Sequence, residues 1–100
     1  MFNIIKLNAL DNVAIAPMNI PVGAKINSNL IAETDIPFGH KISLSKIKKG
    51  NLIYKYGQII GIATDTIKKG AHVHSHNLAF HEFSRSFKNK KIKKQSINKN

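Results

Sequence analysis

Four of the five histidines lie within a span of ten residues. His72, His74 and His76 alternate with two other residues, and His81 follows shortly after them. If residues 71–76 form a strand, the three alternating imidazoles share one face and are spaced about 6.5–7 Å apart along it. Neutral imidazole is a common metal ligand, so the spacing predicts a metal site at His72, His74 and His76. Zinc, iron and manganese all stay open, because spacing alone does not select the metal.

Two other interpretations of this histidine triplet stay open. It could be a polar strand face that meets water, or the wall of a pocket that donates hydrogen bonds to a carboxylate or hydroxyl group. A second polar pair, His40 and Lys41, follows Gly39 and could join the same site. Lys41 would then bind a carboxylate as a point charge; the simpler interpretation is an exposed lysine on a strand.

Several kinds of chemistry are excluded or poorly supported by composition. The chain has 100 residues and no cysteine, which excludes disulfides, thiolate zinc sites and a cysteine nucleophile. Its five carboxylates include no pair placed for acid–base catalysis. No apolar run reaches the roughly 18–20 residues that a membrane span needs, and no signal peptide is recognised. We therefore expect a cytoplasmic chain that is not active alone and does not enter a membrane.

A short pattern, Ile-x-x-Gly-x-x-apolar, occurs four times. The copies occupy residues 20–26, 36–42, 47–53 and 67–73. Each copy indicates a buried anchor, a tight turn and the start of a strand, and the prolines in the first two copies favour a type I turn. The residues between the turns are mainly β-branched and aromatic. The sequence thus predicts a small all-β domain, either a sandwich, a barrel or an irregular clip-like sheet.

The C-terminal part of the chain differs in composition. The formal net charge is +11, and seven of the sixteen basic residues lie within residues 85–100, which hold no acid. Because like charges in a block repel, we expect a solvated extension and do not expect nucleic acid as the main partner. Phe80, Phe83 and Phe87 would share one side of a short helix over residues 78–87. That helix would pack on the core of the domain or on a partner subunit.

Four motifs in a fixed order cover residues 39–77. They are Gly39-His40-Lys41, Ile47-Lys48-Lys49-Gly50, Tyr56-Gly57-Gln58-Ile59-Ile60-Gly61 and Gly70-Ala71-His72-Val73-His74-Ser75-His76-Asn77. With this combination the chain resembles, over about residues 5–78, the small N-terminal domain of the altronate/galactarate dehydratases, a SAF-type module. The resemblance implies a SAF-like β-clip domain over residues 1–78, followed by a basic extension over residues 79–100.

The resemblance also implies a function. Members of this family dehydrate sugar acids such as altronate and galactarate and typically need a divalent metal, often iron, while a related enzyme removes sulfite from sulfolactate. In several members the small domain is a separate polypeptide that pairs with a large catalytic subunit. The chain is thus expected to be the small subunit of a hydro-lyase. It is expected to hold a divalent metal either by itself or only in the complex with the large subunit. The motif positions predict His40, Lys41, Tyr56 and Asn77 as substrate-binding residues beside the histidine triplet.

A second class of function stays open. The chain could be a free-standing SAF-type module that binds carbohydrate, protein or, through its basic extension, nucleic acid. Binding to nucleic acid would weaken steeply with added salt. A homodimer is also open, because an irregular sheet leaves strand edges that a second copy could cover.

Overall fold

The computed structural model describes residues 2–4 and 6–80, and every regular element in them is a β-strand. No helix in this part of the chain is long and apolar enough to cross a membrane. The prediction of an all-β domain is therefore confirmed. The eight strands are β1 (Val13–Ile15), β2 (Lys25–Asn27), β3 (Leu30–Ile31), β4 (Lys41–Ser43), β5 (Leu52–Lys55), β6 (Gln58–Ala63), β7 (His72–Val73) and β8 (Leu78–Ala79).

The strands form three small antiparallel sheets. Their strand orders are β1-β4-β7, β2-β3 and β5-β6-β8. In the first sheet, β4 lies between β1 and β7, and the register places Ile42 opposite His72 and Lys41 opposite Val73. This pairing brings the segment that follows Gly39 next to the histidine-rich segment, although about 30 residues separate them in the chain.

The four repeats form four equivalent tight turns. In each turn, the N–H of the residue after glycine donates to the carbonyl three residues earlier, as from His40 to Pro37 at 3.0 Å. The four glycines have φ between +81° and +90°. A positive φ at the third turn position alone defines a type II turn, so the type I prediction is wrong. Glycine is needed there because a side chain strains the left-handed backbone.

The first and last residues of every repeat are buried, as the pattern predicts. They form two separate hydrophobic clusters, and one isolated β-bridge within each cluster joins the first residues of two repeats. We call these the first half, built from the repeats at 20–26 and 36–42, and the second half, built from those at 47–53 and 67–73. The sheet β1-β4-β7 connects the two halves.

The histidine-rich segment departs from the predicted strand over residues 71–76. Strand β7 ends at Val73, and the chain then turns, with the N–H of Asn77 donating to the carbonyl of His74 at 3.0 Å. Strand β8 follows and pairs with β6. The predicted helix is therefore wrong at residues 78–79, and residues 81–87 lie outside the described part, as does the basic run.

Candidate metal centre

Two histidines from different repeats meet at the edge of the sheet β1-β4-β7. His40 occupies the last position of a type II turn, and its carbonyl accepts the N–H of Ala16 at 2.9 Å. His72 begins β7, and its N–H donates to the hydroxyl of Thr34 at 3.0 Å. With both backbones fixed in this way, Nδ1 of His40 lies 2.8 Å from Nε2 of His72.

His74 completes a group of three imidazoles. Its ring stacks on that of His40, with the centroids 4.3 Å apart, and lies 5.6 Å from that of His72. One ring nitrogen from each of the three side chains lies within 4.8 Å of the other two. This donor set fits a divalent transition metal. Because it consists of imidazole nitrogens alone, it suits zinc or iron better than manganese, which favours oxygen ligands.

His76 lies beside this group without belonging to it. Its ring centroid is 5.2 Å from that of His72, and its side chain is exposed on the turn after β7. The sequence predicts His72, His74 and His76 as the metal ligands, whereas the structure brings together His40, His72 and His74. The difference arises because the chain turns after Val73 and the alternation of side chains ends. Metal binding by any of these residues stays a prediction.

The buried side chain of Asn77 holds the turn that carries His74. Its Nδ2 donates to the carbonyl of His72 at 2.9 Å, and its Oδ1 accepts the N–H of His74 at 3.0 Å. These two bonds fix the backbone positions of both histidines. The predicted role of Asn77 in substrate binding stays a prediction. Sequence reasoning missed the contact to the turn, for which the signal is an asparagine three residues after His74.

The electrostatic surroundings favour neutral imidazoles at neutral pH. Burial, together with the neighbouring His76 and His40, lowers the pKa of His72. Desolvation and the charge of His40 lower the pKa of His74. Burial and the nearby Lys55 lower the pKa of the half-buried Lys41. A lowered pKa leaves a ring lone pair of His72 and of His74 available to a metal ion at neutral pH.

Tyr56 lines a cavity that none of the three clustered histidines line. It lies in the turn between β5 and β6 with φ of +56°, and the Lys55 Nζ is 4.6 Å from its ring centroid. Both residues line a cavity of about 180 Å³. The buried carboxylate of Asp11 accepts the N–H of Gly57 at 2.8 Å and supports this turn. Sequence reasoning missed Asp11, and substrate binding by Tyr56 stays a prediction.

Comparison with known proteins agrees with the resemblance that the sequence motifs indicate. Residues 2–81 match the family described as the altronate/galactarate dehydratase SAF domain. The chain is 42% identical over 76 residues to the altronate dehydratase of Escherichia coli (strain K12), which covers 73% of this chain. It is 44% identical over 48 residues to (2R)-sulfolactate sulfo-lyase subunit alpha of Paracoccus pantotrophus, covering 48% of this chain.

The fraction of each relative's own length that this chain covers differs greatly. The chain spans 15% of the Escherichia coli altronate dehydratase but 72% of the Paracoccus subunit. It is also 39% identical over 80 residues to the altronate dehydratase of Bacillus subtilis (strain 168), which is 77% of this chain and 16% of that protein. The family match extends over most of the chain and includes all four repeats and the histidine cluster. The chain therefore belongs to the SAF domain family of the altronate/galactarate dehydratases.

Proposed function

We propose that the chain is the small subunit of a hydroxy-acid dehydratase, a hydro-lyase that works with a large catalytic subunit. The observation that carries this proposal is the convergence of His40, His72 and His74 on one site, with Lys41 next to His40 in the chain. A cationic amine and three imidazoles are suited to a substrate that has a carboxylate and hydroxyl groups.

Each of these side chains has a distinct proposed role. The three imidazoles hold a divalent metal ion, with iron or zinc as the ions that suit nitrogen donors. Such an ion, when bound, polarises the substrate and stabilises negative charge that develops on oxygen. Lys41 pairs with the carboxylate of the sugar acid and so orients it. No carboxylate belongs to the three-residue cluster, so we propose that the large subunit supplies the general base.

The requirement for a large subunit is supported by the relatives. The Paracoccus protein is named as subunit alpha, and the chain covers 72% of its length. The altronate dehydratases are several times longer than the matched region, and the chain spans only 15–16% of their length. By likeness to the protein that is named as a subunit, we propose that the remaining catalytic apparatus lies in a partner polypeptide and that the small subunit alone is inactive.

The test is to purify the tagged full chain from its native cells and to identify the co-purifying proteins by mass spectrometry. A dehydratase-like large chain in near-equal amount is the expected result. The complex is then assayed for dehydration of altronate and galactarate with and without Fe²⁺. Lys41→Gln should raise KM for the acid, whereas Lys46→Gln, at an exposed lysine of the loop after β4, should not. Recovery of the chain alone, or with nucleic acid, would favour a free-standing binding module.

A second candidate reaction is favoured by one observation. The chain covers a larger share of the sulfolactate sulfo-lyase subunit alpha than of any dehydratase compared above. The same complex should therefore be incubated with (2R)-sulfolactate and the release of sulfite measured. Sulfite release without dehydration of sugar acids would assign the chain to this second reaction.

A further inference from the structure

A second cavity, of about 590 Å³, opens beside the histidine rings. Asp35 of the first half and Thr66 of the second half both line it, so the cavity lies between the two halves. His72 and His76 line it as well, and this places it next to the candidate metal centre. Its volume falls in the range of roughly 300–1,000 Å³ that small-molecule sites occupy. We call this cavity the interhalf groove.

The groove offers hydrogen-bond acceptors to a hydroxylated ligand. Glu33 and Asp35 both line it, and both are exposed. One oxygen of Asp35 accepts the N–H of Val22 at 2.8 Å, which leaves the other oxygen for a ligand. Within residues 2–4 and 6–80, the Glu33 carboxylate has no hydrogen-bond partner. Carboxylate oxygens accept hydrogen bonds, and the hydroxyls of a polyol chain donate them.

Acidic side chains outnumber lysine in the lining of the groove. Two carboxylates, Glu33 and Asp35, and one lysine, Lys68, line it. If the first carboxylate of a sugar acid lies at the histidine cluster and Lys41, its carbon chain extends along the groove past the two acids. A terminal hydroxyl is accepted there, whereas a second carboxylate is repelled by like charge.

We propose that the interhalf groove binds the hydroxylated chain of the substrate and selects a polyhydroxy acid with one carboxylate over one with two. This inference rests on the proposed function, since it takes the substrate to be a sugar acid. It adds a binding site outside the histidine cluster and assigns Glu33 and Asp35 as the residues that determine specificity.

The inference is tested by direct binding to the full chain, which needs no catalytic activity. Amide signals of the ¹⁵N-labelled chain are followed by NMR during titration with a six-carbon aldonate, the matching aldarate and the matching alditol. The aldonate should shift the amides of Thr34, Asp35 and Thr66, and should bind about three- to tenfold more tightly than the aldarate. The alditol has no carboxylate to pair with Lys41 beside the histidine cluster, so it should bind more weakly than the aldonate.

Matched variants then identify the charges responsible. The double variant Glu33→Gln/Asp35→Asn keeps the side-chain shapes and should bring the affinities for aldonate and aldarate close to each other. Asp65→Asn removes an exposed acid that does not line the groove and should leave the ratio unchanged. Unperturbed amide spectra away from the groove establish that each variant is folded.

The outcomes separate this inference from the proposed function. The inference is overturned if none of the three compounds shifts the amide signals of the groove, or if the wild-type chain binds aldonate and aldarate with equal affinity. Either result counts against it even if the purified complex dehydrates sugar acids. Selective binding of the aldonate at the groove supports the inference even if no large subunit is recovered.

Discussion

Nδ1 of His40 and Nε2 of His72 lie 2.8 Å apart, although 32 residues separate the two histidines in the chain. The antiparallel pairing of β4 with β7 produces this contact, because its register, with Lys41 opposite Val73 and Ile42 opposite His72, brings the residue before β4 beside β7. The sequence analysis raised His40 as a residue that could join the histidine triplet, and the sheet brings its ring to that of His72. The first prediction therefore concerns His40.

Replacing His40 should disrupt metal binding more than replacing His76. His40 belongs to the group of three ring nitrogens within 4.8 Å, and His76 does not. His40→Gln should weaken Zn²⁺ binding by at least about tenfold, since even the loss of a second-shell partner of a metal ligand costs 10–100-fold. Isothermal titration of the full chain with Zn²⁺ gives both affinities. A larger loss in His76→Gln than in His40→Gln would contradict the assignment.

Asn77 should act on the metal centre through the backbone. Asn77→Ala removes the donor to the carbonyl of His72 and the acceptor for the N–H of His74. Loss of these bonds in a buried setting should cost about 1–3 kcal/mol in the free energy of unfolding. It should also lower Zn²⁺ affinity, because the two histidines lose their fixed spacing. Urea unfolding and Zn²⁺ titration measure these effects, with the exposed Asn51→Ala as the control. Equal behaviour of the two variants would exclude this positioning role.

Two glycines in equivalent turns should respond differently to alanine. Gly50 and Gly70 have φ of +90° and +87°, so alanine at either position costs about 1–2 kcal/mol of backbone strain. A Cβ at Gly50 meets no atom within 4 Å, whereas a Cβ at Gly70 would overlap the carbonyl oxygen of Ile31. Gly70→Ala should therefore lose at least about 3 kcal/mol or fail to fold, and Gly50→Ala should fold normally. Urea midpoints of the two variants compare them directly, and similar midpoints would refute the predicted overlap.

Stability should fall in mild acid. The pKa values of His72 and His74 lie below the ordinary value of 6.5. As the pH falls below 6.5, the unfolded chain takes up protons before the folded chain does, so the free energy of unfolding decreases. The urea midpoint of the metal-free protein should therefore be lower at pH 5 than at pH 7.5. His72→Gln/His74→Gln should show a smaller difference, and a midpoint that rises on acidification would contradict the prediction.

The repeats made much of the fold predictable. Each copy of Ile-x-x-Gly-x-x-apolar predicts a buried anchor at both ends and a turn between them, and all eight anchors are buried. The turn type was harder to predict from the sequence, because it depends on the position of glycine relative to the hydrogen bond that closes the turn. The resemblance to the dehydratase family, carried by the ordered motifs, is confirmed by the family match over residues 2–81.

The site was predictable only in part, for two physical reasons. Alternation of His72, His74 and His76 indicates a shared face only while the strand continues, and β7 ends at Val73 because Asn77 stabilises a turn. The contribution of His40 depends on the pairing of β4 with β7, a long-range register that a local pattern does not contain. Local patterns thus located the histidine-rich segment, and the sheet determined which histidine side chains come together.

The division of the core into two clusters has a consequence for folding. His40 lies two residues before Ile42 of the first cluster, and His72 is followed by Val73 of the second. Because the two histidines adjoin different clusters, the histidine site forms only where the two halves meet. An ion bound by both histidines would oppose their separation. Its binding would raise the free energy of unfolding of the whole domain. The bound ion would thus link two small hydrophobic clusters, each of which contains few residues.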